Sequence, residues 1–376
     1  MYNLINLRVK GNNIMVYNFL SICSIVLPKI YRNKKLYFIV MYGLLAVVAG
    51  FRGASVGTDT ASYAYDYYDG KNLLIDDVIM GTSTRLERGV LLVMKLACAL
   101  WDSPITFNFL MSFFTFFLVG LFVYNNIKQY ELATFVIVSF GFFFYMMNAE
   151  RQALSIAVCV NSYPYIIRNE KCKAILILCV ASLFHNSIWI MLPIMITYWL
   201  LSKKRFAYKR NCLKLFVLSV LTVGVLYCGY EYITNNLELL NGVYVGYFSY
   251  FSNFNAPALV GKFLILQGVL FFIIAIFINS FRLSEAVADE NFFIGQMLMM
   301  ASVMLVAEVT VMRIFYRFVD TFSFPLCMGI PNALDRISPG IEKTSIKYCI
   351  YILGILYMNY MMYSGIQGIW PYEIGL

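Results

Sequence analysis

The sequence is poor in charge. Only 13% of its 376 residues are Asp, Glu, Lys or Arg, about half the share of a soluble globular chain, while 61% are apolar. So little charge cannot build a water-facing surface. Histidine is nearly missing, and the single imidazole, His185, cannot by itself make a metal cluster. The nine cysteines fall in or beside apolar segments or in Lys/Arg-rich loops. They show no CxxC and no paired spacing, which argues against both a thiolate metal site and a disulfide framework. No metal and no other cofactor is expected. Dyad alternation of apolar and polar residues is also missing, which excludes a transmembrane β-barrel. The opening "MYNLINLRVKGNN" is polar, and the first apolar run is expected to be a permanent anchor rather than a cleaved leader.

What is present instead is a series of continuous apolar runs near the length of a bilayer span. They lie at roughly 14–30, 36–51, 105–124, 132–147, 152–167, 211–231, 262–281, 291–312, 318–334 and 346–364. Lipid offers no partner to a backbone N–H or C=O, so only helices and closed barrels cross it. The expectation is an all-α polytopic membrane protein, one integral domain over 1–376. The net charge of +9 has a matching cause. Lys and Arg gather in short loops such as "SKKRFAYKR" (Ser202 to Arg210), as cytoplasmic orientation requires. No nucleic-acid motif accompanies them, so no nucleic-acid partner is expected.

Two apolar segments do not fit a simple span. Gly89 to Trp101 is 13 residues, about 20 Å of helix against a hydrocarbon core of about 30 Å. Ala174 to Leu201 is 28 residues, about 42 Å. If 89–101 is re-entrant or interfacial and 174–201 is a hairpin, the basic loops sort to the cytoplasm. The 52–88 loop then lies outside, with four basic residues against six acidic ones. The 231–260 region also lies outside. About 12 crossings follow.

On that topology the unusual polar residues converge on the outer side. "FRGASVGTDT" leaves the second span with Arg52, two glycines that permit close backbone approach, and Asp59. Asp59 is either a plain helix cap or a carboxylate held near a substrate hydroxyl. Arg52, Arg88, Arg151, Arg313 and Arg317 are guanidinium groups suited to a diphosphate; the plainer reading of each is snorkelling to headgroups. Arg313 and Arg317 are four apart and share a helix face. His185, in "LFHNS", sits at the tip of the expected hairpin, as a proton-transfer group or as a structural histidine. Tyr63, Tyr247 and Tyr372 are candidate sugar-stacking rings, although most of the 29 tyrosines belong to interfacial belts.

These residues carry a resemblance. "FRGASVGTDTASYAYDYY", "NAERQALSIAV", "KCKAILILCVASLFHNSIWIMLPI", "MRIFYRF" and "WPY" are similar, in this order, to segments of the EpsG-like, Wzy-type polysaccharide polymerases of bacteria. The likeness spans about 50 to 373. "LERGV" departs from it, with Arg88 where the family often has proline in an E-P-G-like turn. The resemblance implies a GT-C-like membrane glycosyltransferase in the bacterial plasma (inner) membrane, working on its outer face. It would join repeat units of O-antigen or capsule carried on undecaprenyl diphosphate. For that chemistry the expectation is Arg151 and Arg313 on the diphosphate with Arg52 in support, and His185 or Asp59 as base, His185 being favoured for the proton and Asp59 for the acceptor. The expected partners are donor and acceptor lipid-linked oligosaccharides, membrane lipid and a chain-length regulator. A flippase of lipid-linked oligosaccharide and a membrane acyltransferase remain alternatives. The first should show paired repeats with broken helices, and no such symmetry is visible.

Overall fold

The computed structural model describes residues 2–73, 76, 86–201, 208–235, 258–280, 285–310 and 315–375. Among them there is no strand, only an isolated bridge between Arg52 and Ile374. The all-α class expected from composition is what the described residues adopt. Two helices, Pro104–Asn126 and Ala288–Val309, are long and apolar enough to cross a membrane, and a bent pair makes up to three; several shorter apolar helices accompany them.

The chain divides into two compact units, Met1–Trp189 with Ile330–Leu376, and Ile190–Gly329. The first begins with α1 (Tyr2–Ile30) and α2 (Lys34–Gly50). The Asn33 side chain accepts from the N–H groups of Lys35 and Leu36 and starts α2. After the loop come α3 (Thr60–Gly70), α4 (Arg88–Leu100) and α5 (Pro104–Asn126). Ser103 caps α5 and Pro104 opens it, where a missing N–H costs nothing. Next are α6 (Tyr130–Ser139), α7 (Phe142–Asn148), α8 (Glu150–Val160), α9 (Tyr163–Ile167) and α10 (Lys171–Ser182). The long helix α17 (Ile341–Tyr363) and a short tail close this unit.

Small residues let the helices approach. A Cβ on Gly50 would meet the Phe109 backbone at 2.6 Å, and one on Gly120 would meet Tyr42 at 2.9 Å, so α2 and α5 pack backbone to backbone. Under the loops, α3, α4, α5 and α8 share one apolar cluster, including Tyr63, Tyr67, Val90, Met94, Phe107, Met111 and Leu154. Burying side chains of this size stabilises by roughly 1.5–3 kcal/mol each. At 13 residues, α4 is too short to cross. It buries Val90, Leu91, Val93, Met94 and Ala97 and leaves Leu92, Leu96, Leu100 and, just past its end, Trp101 exposed.

Three segments expected as single spans are broken. The 132–147 segment is α6 and α7, bent by 56° at Gly141, whose φ of +93° glycine adopts without a steric penalty. The 152–167 segment is α8 and α9, interrupted at Asn161 and Ser162 ahead of Pro164, which stands in the first turn of α9, the place where a helix tolerates proline best. The 318–334 segment is α15 (Tyr316–Ser323) and α16 (Leu326–Asp335), parted at Phe324 and Pro325. Apolar composition alone does not register such breaks.

The second unit contains α11 (Met191–Leu201), α12 (Tyr208–Asn235), α13 (Ala258–Ser280), α14 (Glu285–Thr310) and α15. Its interior is lined by Met297, Leu298, Met300, Ala301 and Met304. Buried amides stitch it: Asn291 donates to Ile278 O at 3.0 Å and Gln296 to Ile194 O at 3.2 Å.

Candidate functional site

The site is built around the exit from α2. Arg52 turns inward there and is almost completely buried, at 1% exposure. Its Nε donates to Thr60 Oγ1 at 3.3 Å. One Nη reaches Ala49 O, and the other reaches Met147 O and Glu150 Oε1. Four of its five N–H donors are therefore spent inside the protein, tying α2 to the ends of α7 and α8.

The following loop needs one of its two glycines for conformation. Gly57 has φ +95°, and a Cβ there would lie 2.8 Å from Thr60 Oγ1 and 3.2 Å from Asn148 Oδ1. This close approach brings Asn148, the last residue of α7, onto the loop. Its Oδ1 accepts the Asp59 N–H at 3.1 Å, and its Nδ2 donates to Thr58 Oγ1 and Gln367 Oε1, each at 2.9 Å. The Thr58 hydroxyl in turn lies 3.1 Å from Asp59 Oδ1. Asp59 precedes α3, but its carboxylate makes no capping bond. The plain-cap reading therefore does not describe how the side chain is used.

The C-terminal segment closes over this loop. Gly57 N–H donates to Gly368 O at 2.8 Å and Gly53 N–H to Glu373 O at 2.7 Å. Ser55 donates to Glu373 Oε2 at 2.6 Å. Tyr372 is buried; its hydroxyl donates to Val48 O at 2.9 Å and its ring packs edge-on to Tyr17. Tyr63 is likewise buried, with the Arg151 guanidinium 5.9 Å from its ring centre.

One residue along α8 from Glu150, the partner of Arg52, the arrangement changes. Arg151 donates to Glu87 Oε2 at 2.9 Å, while His185 Nδ1 lies 2.9 Å from Glu87 Oε1. One carboxylate thus holds both residues, which are 34 apart in sequence. The exposures are 23% for Arg151, 10% for Glu87 and 16% for His185. Burial by itself would raise the Glu87 pKa, but the hydrogen bond from His185 and the charge of Arg151 outweigh it and hold the carboxyl below its ordinary value.

The local fold explains the meeting. Glu87 is extended (φ −70°, ψ 146°) immediately before α4. Gly89 N–H donates to Leu183 O at 2.8 Å, and a Cβ at Gly89 would lie 2.7 Å from that oxygen and 2.9 Å from the Phe184 ring. His185 stands in the break between α10 and a 3₁₀ turn over Asn186–Ile190. From α8, the Ser155 hydroxyl donates to Ala181 O at 2.8 Å and approaches His185 O at 3.4 Å. Arg88, where the related sequences often carry proline, is the first residue of α4. Proline is favoured at that position but not required. The Arg88 side chain is exposed.

Arg151 and His185 are therefore brought together, with Tyr63 beneath Arg151 and Asp59 one turn before Tyr63. Arg313 and Tyr247 lie outside the described residues, as does the side chain of Arg317. Sequence reasoning missed Glu87 and Asn148. The position of Glu87 in "LERGV" was the one available signal.

No curated protein and no solved structure matches the chain. A family model does, over residues 35–374, nearly the whole chain, and this protein belongs to the EpsG family.

Proposed function

We propose that the protein is a polysaccharide polymerase that joins undecaprenyl-diphosphate-linked repeat units at the outer face of the bacterial plasma membrane, making O-antigen or capsule. What carries the reading is the single carboxylate of Glu87, 2.9 Å from both Arg151 and His185. It sets a permanent cation beside a group that can take a proton. Such a transfer needs both. An acceptor sugar hydroxyl forms a bond to the anomeric carbon of the donor as the bond from that carbon to the diphosphate oxygen breaks. The electron pair leaves with the lipid diphosphate, which Arg151 stabilises. The hydroxyl proton passes to His185. Asp59, with its carboxylate not committed to a cap, orients the acceptor.

Arg52 has a different part in this reading. With its donors spent on the backbone, Thr60 and Glu150, it braces the loop that presents Asp59 and does not bind diphosphate. Tyr63 and Tyr372 are frame residues and not sugar platforms. Arg88 borders the site. The twelve-crossing topology, GT-C-like architecture and chain-length regulator belong to the same proposal.

The test is alanine replacement of Arg151 and of His185 in a strain lacking the native gene. Surface polysaccharide should collapse to single repeat units on the lipid core, or capsule should vanish, with lipid-linked units accumulating on the outer leaflet. Long-chain ladders from both variants would overturn the reading. Accumulation on the inner leaflet would instead assign the protein to transport.

A further inference from the structure

Glu87 lies in no motif that the resemblance supplied a role for, yet it is the shared partner of the two residues the chemistry needs. Its oxygens are divided, Oε1 to His185 Nδ1 and Oε2 to Arg151 Nη1, each at 2.9 Å. An ionised carboxylate only accepts hydrogen bonds. The depressed Glu87 pKa keeps it ionised at neutral pH, so the hydrogen of this contact sits on His185 Nδ1 and Nε2 is the nitrogen left for the acceptor proton. Among the described residues, Glu87 from the segment before α4 faces the imidazole, and Arg151 from α8 shares that carboxylate. Tyr63 and Asp66 of α3 interact with Arg151, and Arg88 is at the exposed start of α4.

Resting on the polymerase reading above, we infer that Glu87 is a positioning residue with two linked tasks. It fixes the His185 ring through Nδ1 so that Nε2 receives the acceptor proton, and it serves as the counter-ion of Arg151 until the donor diphosphate takes that place. Once Arg151 turns to the diphosphate, the full charge of Glu87 faces His185. An imidazolium forming at that moment is stabilised by an adjacent carboxylate. Donor binding and proton acceptance are coupled through one side chain, so the base is strongest when a donor is present to be attacked. Glu87 touches neither sugar nor diphosphate.

The test uses full-length protein in liposomes, with undecaprenyl-diphosphate-linked repeat unit extracted from a strain that cannot polymerise it. Chain extension is followed against pH and donor concentration for wild type, Glu87→Gln, Glu87→Asp, His185→Ala and Arg151→Ala. Glu87→Gln should lower kcat by about 10²-fold without raising the donor KM, because Arg151 loses a competitor for the diphosphate. The ascending limb of its pH profile should move down by about one unit, because the imidazole loses a stabilising charge. Glu87→Asp, one methylene short of reaching both partners, should lie between. A packing role alone would not move the pH limb. If His185→Ala and Arg151→Ala are inactive while Glu87→Gln keeps wild-type kcat and an unmoved limb, Glu87 has no such role and the polymerase reading stands. If His185→Ala and Arg151→Ala both extend chains normally, that reading fails and the inference with it. Should Glu87→Gln not fold, Glu87→Asp decides: wild-type kcat and limb would overturn the inference.

Discussion

Two of the arginine–glutamate pairs meet α8 at adjacent residues, Glu150 and Arg151, and they live in different surroundings. The pair Arg52–Glu150 is sealed, with side-chain exposures of 0% and 2%, and the arginine's donors are consumed by the protein. The pair Arg151–Glu87 is half open, at 23% and 10%, and its glutamate also holds the only histidine. Adjacent Glu150 and Arg151 face opposite tasks because successive residues of a helix point about 100° apart, a consequence of 3.6 residues per turn. The difference teaches how to separate a cation that holds a fold from one that can work on a ligand. What matters is how many donors remain unspent and whether solvent can reach them.

The comparison can be broken most severely at the open pair. Arg151→Ala and His185→Ala should each reduce polymer formation by about 10³-fold, while purified protein elutes from size exclusion like wild type. At the sealed pair the effect should be on stability. Arg52→Ala leaves Glu150 buried without its counter-charge, which costs about 3–5 kcal/mol and should appear as a sharp fall in membrane-integrated protein. Removing both charges together, as Arg52→Met with Glu150→Leu, should restore much of that protein, since a buried pair replaced by apolar groups is often near neutral.

Smaller effects sharpen the contrast. Gly89→Ala places a methyl group against Leu183 O and the Phe184 ring. It should cost about 1–3 kcal/mol and part Glu87 from His185, lowering turnover with little loss of expression. The pH dependence should be mildest. The Glu87 carboxyl is held below the ordinary glutamate range in the fold. Its stabilising contribution is therefore fully present above about pH 4.5 and is lost as pH falls through the lower folded value. Thermal unfolding in detergent should show no change from this group between pH 7 and 5, and a decline below that.

Much of this was legible in the residues. Low charge and long apolar runs led to an all-α membrane protein, and the glycine-flanked "VGTDT" correctly marked a tight loop at Gly57. Arg151 and His185 stood out because ionisable residues are rare in such a chain. Other features were hidden for physical reasons. A sequence displays the type of Arg52 but not that Ala49, Met147 and Glu150 would use up its donors, because those partners are fixed by packing. Glu87 looked like an ordinary loop carboxylate, since its partners lie 64 and 98 residues away. The tail's clasp on the 53–57 segment depends on backbone hydrogen bonds between Gly53, Gly57, Gly368 and Glu373, which carry no side-chain signature. The breaks at Gly141 and before Pro164 sit inside apolar runs, where hydropathy is the same on both sides of the bend.

The division of labour between the two arginines is tested most directly by measuring chain extension per folded molecule for Arg52→Met/Glu150→Leu and for Arg151→Ala, side by side in liposomes. The expected result is substantial turnover from the first and almost none from the second. Comparable turnover from Arg151→Ala, or an inactive but well-folded Arg52→Met/Glu150→Leu protein, would contradict it.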